Sequence, residues 1–448
     1  CNGVFIVPPP RTSAKTGTLL LIMSFTAAAF SLTDAQLAQL PDGLIGKATS
    51  AFSRNRHGKL GFGERYRFTT CGPQRFVQAR NRWSELTAVP KAELPHGLTS
   101  RSPICFAAFT FDARSTVESL MVVPKFVLDT SAGTIRLAYI YDVTEQVPNQ
   151  DALFDMFLAD LPEDPRKNVR ATFRNDAAHM SEDDFRQVVD EAVRRIDNEE
   201  FSKIVLARDE RVHAPAGFHI PATMRALADD NPTAWTYKVG PLIGSTPELL
   251  IGRKDNAANA RVLAGTVDRD IAVNDELIAE QLSENPKQIF EHQAAVDSLV
   301  EKLSPFATAL NISDSPFVLT LPNVYHLATD ISAELTASTS VLDLVAEINP
   351  TAAVGGTPRR AALDAIWQLE AEKHGMDRGL YAGAVGWLDA NGHGEFGIAL
   401  RGSVIEDEHH VRVYAGCGIV DGSDAAAELA ETHAKMRPMK KALRMSAR

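Results

Sequence analysis

The chain has 448 residues and a formal charge of −11, from 46 Lys and Arg against 57 Asp and Glu. That length suffices for two or three average domains, or for one large domain with a sizeable core. The negative balance excludes broad nucleic-acid binding, which needs clustered cations, and no apolar run reaches the ~18 residues that span a bilayer.

Four cysteines, Cys1, Cys71, Cys105 and Cys417, show no metal-site or disulfide spacing and point to a reducing, cytoplasmic compartment. At the amino terminus Arg11 and Lys15 precede an apolar stretch from Thr18 to Leu32. A signal peptide has that layout. A coding start placed upstream of a true start at Met23 gives it too. Residues 1–32 are expected to be a leader, disordered or misassigned.

From 33 to 175 short strand-like runs such as MVVPKFVLD and TIRLAYIYDV alternate with Pro, Gly and Asn, and no chemical motif stands out. A helix follows. Ser181 and Asp184 form a capping-box pattern, and Phe185, Val188, Val189, Ala192 and Ile196 recur at helical spacing. FSKIVLARDERV then predicts a strand, with Lys203, Val205 and Ala207 on one face and Ile204, Leu206 and Arg208 on the other. A lysine there is either an edge residue at a sheet rim or a group held among apolar neighbours.

TAWTYKVG and PLIGSTPELLIGR predict a pair of strands. Glu248, after Pro247 and before Leu-Leu-Ile, is a rim carboxylate or one whose pKa burial raises, as a general acid requires. Asn285 and Pro286 predict a helix start, with Glu291 and His292 on that helix. Beyond it come a strand over NVYHLATDISAEL, a helix over VLDLVAEI, the turn-rich NPTAAVGGTP and a helix from Arg360 to His374. Three strands follow: YAGAVGWLD, GEFGIALRGSVI and HVRVYAGCGIV. In the middle one Phe396, Ile398 and Leu400 are predicted to share a face, with Ala399, Arg401 and Ser403 on the other. The last helix carries Glu428, Glu431 and Lys435 three and four residues apart, hence on one face. Such a face is a solvated surface or half of a metal and anion site.

FSKIVLAR, STPELL, LAGT, PKQIFEH, YHLAT, PTAAVGGTP, LYAGAVGW, ALRGS, AGCGIV and AELAETHAK occur in that order between residues 181 and 446. Together they resemble the chorismate-utilising enzymes: isochorismate synthases, salicylate synthases and the synthase components of anthranilate and aminodeoxychorismate formation. The resemblance implies an α+β fold in which two large, mainly antiparallel sheets pack as a sandwich with helices outside. It further implies one chorismate-binding domain over 33–448, with a variable part (33–175) and a motif-bearing part (181–446).

Carried over by position, Glu291 and Glu431 resemble the family's Mg²⁺ ligands, with Glu428 beside them. Tyr381, Arg401 and Lys435 resemble the groups that hold the substrate's carboxylates, Lys435 answering the substrate rather than the neighbouring glutamates. Gly265 and Thr266, with Gly416 and Gly418, resemble the segments that approach the ring closely. Lys203 resembles the base of the water-using branch, and Glu248 its general acid. That branch implies addition of water at C2 of chorismate with loss of the C4 hydroxyl.

PTAAVGG and HLAT resemble isochorismate synthases more than salicylate synthases, although Asn349 and Ala352 stand where His and Pro are usual. The product would feed menaquinone or siderophore formation. The alternatives are a salicylate synthase, which goes on to eliminate pyruvate, and a non-catalytic chorismate-binding relative. The expected partner is chorismate alone, with no nucleic acid or membrane, and a monomer.

Overall fold

A computed structural model describes residues 23–88, 94–131, 133–163, 172–268, 282, 284–320, 324–336 and 339–445, without the side chains of 264–268, 287, 288, 290, 291, 320, 324 and 326. Its strands form a thirteen-stranded and a ten-stranded sheet. The two share a buried interior in which Phe52, Tyr237 and Val239 of the larger sheet meet Phe106, Leu120 and Val385 of the smaller. Alternation of side chains along each strand supplies those inward faces. The α+β sandwich expected from the resemblance is the fold observed.

Both sheets mix strands from the two ends of the chain. Ile104–Ala108 pairs with Ala384–Asp389 in the smaller sheet, and Ser50–Arg54 pairs with Trp235–Val239 in the larger. The expected boundary at residue 32 needs correction. Phe25–Ser31 is a strand paired with Arg136–Asp142 and with Thr99–Arg101, and Phe25, Ala27, Ala28, Ala29 and Phe30 are buried. Its apolar character therefore belongs to the core. The rest of the expected leader, residues 1–22, lies outside the described residues.

The helix over Glu182–Asp197 begins at the Ser181–Asp184 capping box and buries the five predicted apolar positions. The helix expected at Pro286 runs to Leu303, and His292 pins it to the Val324–Leu335 strand through a 2.7 Å contact with the Thr329 hydroxyl. The segment expected as one helix from Arg360 to His374 is α-helical over Arg359–Ile366 and then π-helical over Trp367–Glu372. The wider turn shifts the later residues around the axis and leaves Glu370 fully buried.

Two runs expected as continuous strands are each cut in two. PLIGSTPELLIGR is Leu242–Thr246 in the larger sheet and Leu249–Lys254 in the smaller. GEFGIALRGSVI is Gly394–Ile398 in the smaller and Gly402–Ile405 in the larger. Pro247, which has no N–H for a ladder, marks the first crossing, and Arg401, at φ 49°, marks the second. The crossings run side by side: Ile398 N–H donates to Glu248 O at 3.2 Å and Ser245 N–H to Arg401 O at 3.4 Å. Predicted faces therefore hold only up to Ile398.

Tyr237 fixes the second crossing. Its buried hydroxyl donates to Leu400 O at 2.9 Å. A Cβ at Gly402 would lie 2.1 Å from that hydroxyl oxygen and 2.8 Å from Ile243 O. Gly402→Ala is therefore expected to cost about 1–3 kcal/mol by overpacking, measured by denaturant unfolding. Tyr237→Phe in that background should recover part of the loss, and an unchanged midpoint for Gly402→Ala would refute the fit.

Candidate active site

Lys203 opens a strand, Lys203–His213, that is interior to the larger sheet and not at its rim. It pairs with Gly356–Thr357 on one side and with His410–Ile419 on the other. The register sets Val205 opposite Gly418 and Ala207 opposite Gly416. Paired residues share a face, so Lys203 shares its face with small neighbours. A Cβ at Gly418 would come within 3.3 Å of Lys203 Cε, and one at Gly416 within 2.8 Å of Leu206 O. Glycine at these positions keeps a shallow floor beside the lysine.

Glu248 sits on the first crossing, part-buried, with its N–H donating to the Thr246 hydroxyl at 3.3 Å. Burial pushes its carboxyl up to about 7, while the charges of Lys203 and Arg401 pull the other way. Lys203 and Arg401, from two other parts of the sequence, thus lie near enough for their charges to act on Glu248. Tyr381 is within reach of the Arg401 charge as well. It is buried, its ring stacks on Tyr414 at 5.0 Å and 11°, and burial raises its hydroxyl to about 12 against the opposing pull of Arg378 and Arg401.

The last helix, Ala425–Arg444, packs on the His410–Ile419 strand and presents the predicted face to it. Glu428 Oε1 accepts from the Ser423 hydroxyl at 2.9 Å, and its Oε2 is buried without a hydrogen bond. Burial raises this carboxyl, the Cys417 thiol and Ser423 hydroxyl lower it, and Glu431 adds to the rise. Lys435 Nζ lies 2.5 Å from Glu431 Oε1 and donates to Gly416 O at 3.0 Å. Lys435, expected from the resemblance to hold a substrate carboxylate, is thus paired here with the glutamate one helical turn before it.

Glu291 lies on the Pro286–Leu303 helix, with its side chain outside the described residues. Gly265 falls where the register between Ala257–Asp268 and Val324–Leu335 slips, Ala264 pairing with Leu327 and Thr266 with His326. Glycine suits such a bulge. The Thr266 side chain also lies outside the described residues. Among the described residues no three His, Cys, Asp or Glu side chains close on one point. Glu428, with Glu431 three residues on, offers carboxylate oxygens of the kind a hard cation prefers.

Residues 36–444 match the family of chorismate binding enzymes. The chain belongs to that family. It is 33% identical over 398 residues to the salicylate biosynthesis isochorismate synthase of Pseudomonas aeruginosa, covering 83% of this chain and 80% of that protein. It is 31% identical over 272 residues to the isochorismate synthase MenF of Bacillus subtilis, covering 60% of this chain but only 57% of that relative's length.

Among solved structures, the 2,3-dihydroxybenzoate-specific isochorismate synthase DhbC of Bacillus anthracis superposes with a TM-score of 0.70 at 26% identity, over 92% of this chain and 99% of that one. Escherichia coli MenF, at 23% identity, shares the fold with a TM-score of 0.74, over 94% and 95% of the two chains.

Sequence reasoning missed the groups that brace the site. Arg378 grips Glu370 with two hydrogen bonds of 2.7 and 2.6 Å and donates to Val354 O and Val205 O at 2.9 and 2.6 Å. Glu370 also accepts from Ala207 N–H at 2.8 Å. One buried pair thereby ties the Lys203 strand to the PTAAVGG loop, three residues before Tyr381. The π-helical turn gave no sequence signal, whereas Arg-Gly-Leu-Tyr beside a recognised motif was a signal that went unused. Cys417, buried against Glu428, and Tyr414, stacked on Tyr381, were legible only as alternating strand residues.

Proposed function

We propose that this chain is an Mg²⁺-dependent isochorismate synthase, converting chorismate to isochorismate. The observation that carries the reading is Glu248. Its carboxyl is raised to about 7 at a sheet crossing, where Lys203 and Arg401 act on it. A carboxylic acid poised near neutrality is what protonation of a departing hydroxyl requires. Lys203, held over the Gly416–Gly418 floor, takes the proton from the water that attacks C2. Arg401 grips one substrate carboxylate with its planar fork, and Tyr381 orients beside it.

Glu428 and Glu431, with Glu291 from the Pro286–Leu303 helix, would hold Mg²⁺, which supplies positive charge for the dianionic substrate when bound. Lys435 then exchanges Glu431 for the substrate. Charge must be supplied locally in this way because the chain is acidic overall. The product would feed menaquinone or siderophore formation; the named relatives include MenF of Bacillus subtilis and a salicylate-biosynthesis enzyme.

The deciding experiment incubates purified protein with chorismate and Mg²⁺ and resolves the products. Isochorismate alone supports the reading; salicylate with pyruvate transfers the chain to the eliminating branch; no conversion leaves a binding role. Excess EDTA is expected to abolish turnover and weaken chorismate binding, because unneutralised Glu428 and Glu431 repel a dianion. In the other direction, Mg²⁺ at 100 times its Kd should stabilise the fold by about 2.7 kcal/mol. Full activity in EDTA would remove the metal assignment.

A further inference from the structure

Glu248 also lines a partly open cavity that the proposed chemistry has not used. It is lined by Glu248, Arg261, Ser298, Lys302 and Thr351 among apolar side chains, and holds about 30 Å³ of space for water. That is room for about two water molecules. Thr351 Oγ1, on its wall, is buried and makes no hydrogen bond within the protein. A buried hydroxyl with no partner marks a water position. Ala295, Ser298 and Lys302 follow Glu291 on one face of the same helix, so the cavity runs along the helix that carries the expected metal ligand.

Reaction bookkeeping supplies the reason for such a space. Water attacks C2 and gives a proton to the Lys203 amine. The new C2–O bond forms as the C4–O bond breaks, and the Glu248 carboxylic acid protonates the departing hydroxyl, which leaves as water. The enzyme is left with an ammonium at Lys203 and a carboxylate at Glu248. Before the next turnover Lys203 must release one proton and Glu248 must gain one, with no net consumption.

We propose that the cavity holds a short water chain linking Glu248 to Lys302, and that Glu248 regains its proton through it. The inference rests on the isochorismate synthase reading. Lys302 acts through Glu248 and is a positioning residue rather than a catalytic one.

Among the described wall residues Lys302 is the one suited to exchange a proton with solvent. Arg261 is held by Asp330 at 2.6 and 2.9 Å, and a guanidinium does not release its proton. Lys302 is only partly buried, and burial, aided by the Arg359 charge, brings its amine down to about 8. It can therefore give a proton to the chain and reload from water at ordinary pH.

The test compares the wild type with Lys302→Met and Lys302→Arg, both full-length with Mg²⁺ and chorismate, in weak and strong imidazole buffer. Lys302→Met is expected to lose about tenfold in kcat in weak buffer while kcat/KM stays near wild type, and to recover as imidazole rises. Lys302→Arg keeps the charge but cannot relay, so it should be equally slow and equally rescued. Wild-type kcat in weak buffer for Lys302→Met, or a deficit that no buffer restores, overturns the relay. A wild type that forms no isochorismate overturns instead the reading on which it rests.

Discussion

Glu248→Gln is expected to lower kcat/KM for chorismate by about 10²–10⁴-fold, the range for loss of a positioned general acid. The amide keeps the shape of the side chain and cannot make the proton transfer proposed for the C4 hydroxyl. The same residue predicts a pH profile. On the proposed reading its acid form is the active one, and burial has lifted its pKa to about 7. Activity that depends on it is therefore full below that pH and is lost as pH rises through it. Glu248→Gln should erase this alkaline limb along with most of the rate, while Glu248→Asp should keep a limb. A Gln variant whose residual activity shows the wild-type limb would place the titrating group elsewhere.

Arg378→Met is expected to destabilise the chain by about 3–5 kcal/mol, the range for removing one partner of a buried ion pair. Glu370 would be left in the core without its partner, and the Val205 and Val354 carbonyls would lose their donor. Because those carbonyls belong to the Lys203 strand and the PTAAVGG loop, activity should fall further than the folded fraction does. Denaturant unfolding measures the first effect and turnover per folded molecule the second. Removing both charges, as Glu370→Leu with Arg378→Met, should restore a large part of the stability. A single variant within about 1 kcal/mol of wild type would show that the pair is peripheral.

Residues whose role is expressed in local periodicity were legible. Ser181 caps its helix and Lys203 alternates with apolar neighbours, because capping and strand alternation are written within a few residues. Glu248 and Arg401 were legible as candidate groups but not as places. Alternation continues through STPELL and IALRGS although the chain changes sheets there, since both sheets demand the same inward apolar pattern. Glu370 was hidden for a different reason: a π-helical turn re-aims a side chain without altering composition. Phe25–Ser31 was misjudged because a buried strand and the apolar part of a leader look alike over seven residues.

The paired crossings carry one more consequence. The acid at Glu248 and the cation at Arg401 are borne by linkers that belong to neither sheet alone, and hydrogen bonds of 3.2 and 3.4 Å staple one linker to the other. Any slip of one sheet past its partner would displace both groups at once and in step. Turnover is therefore a gauge of how squarely the two halves of the sandwich are aligned. Mild denaturant that loosens the interior around Phe52 and Val385 should silence catalysis before either sheet gives up its own ladder of hydrogen bonds.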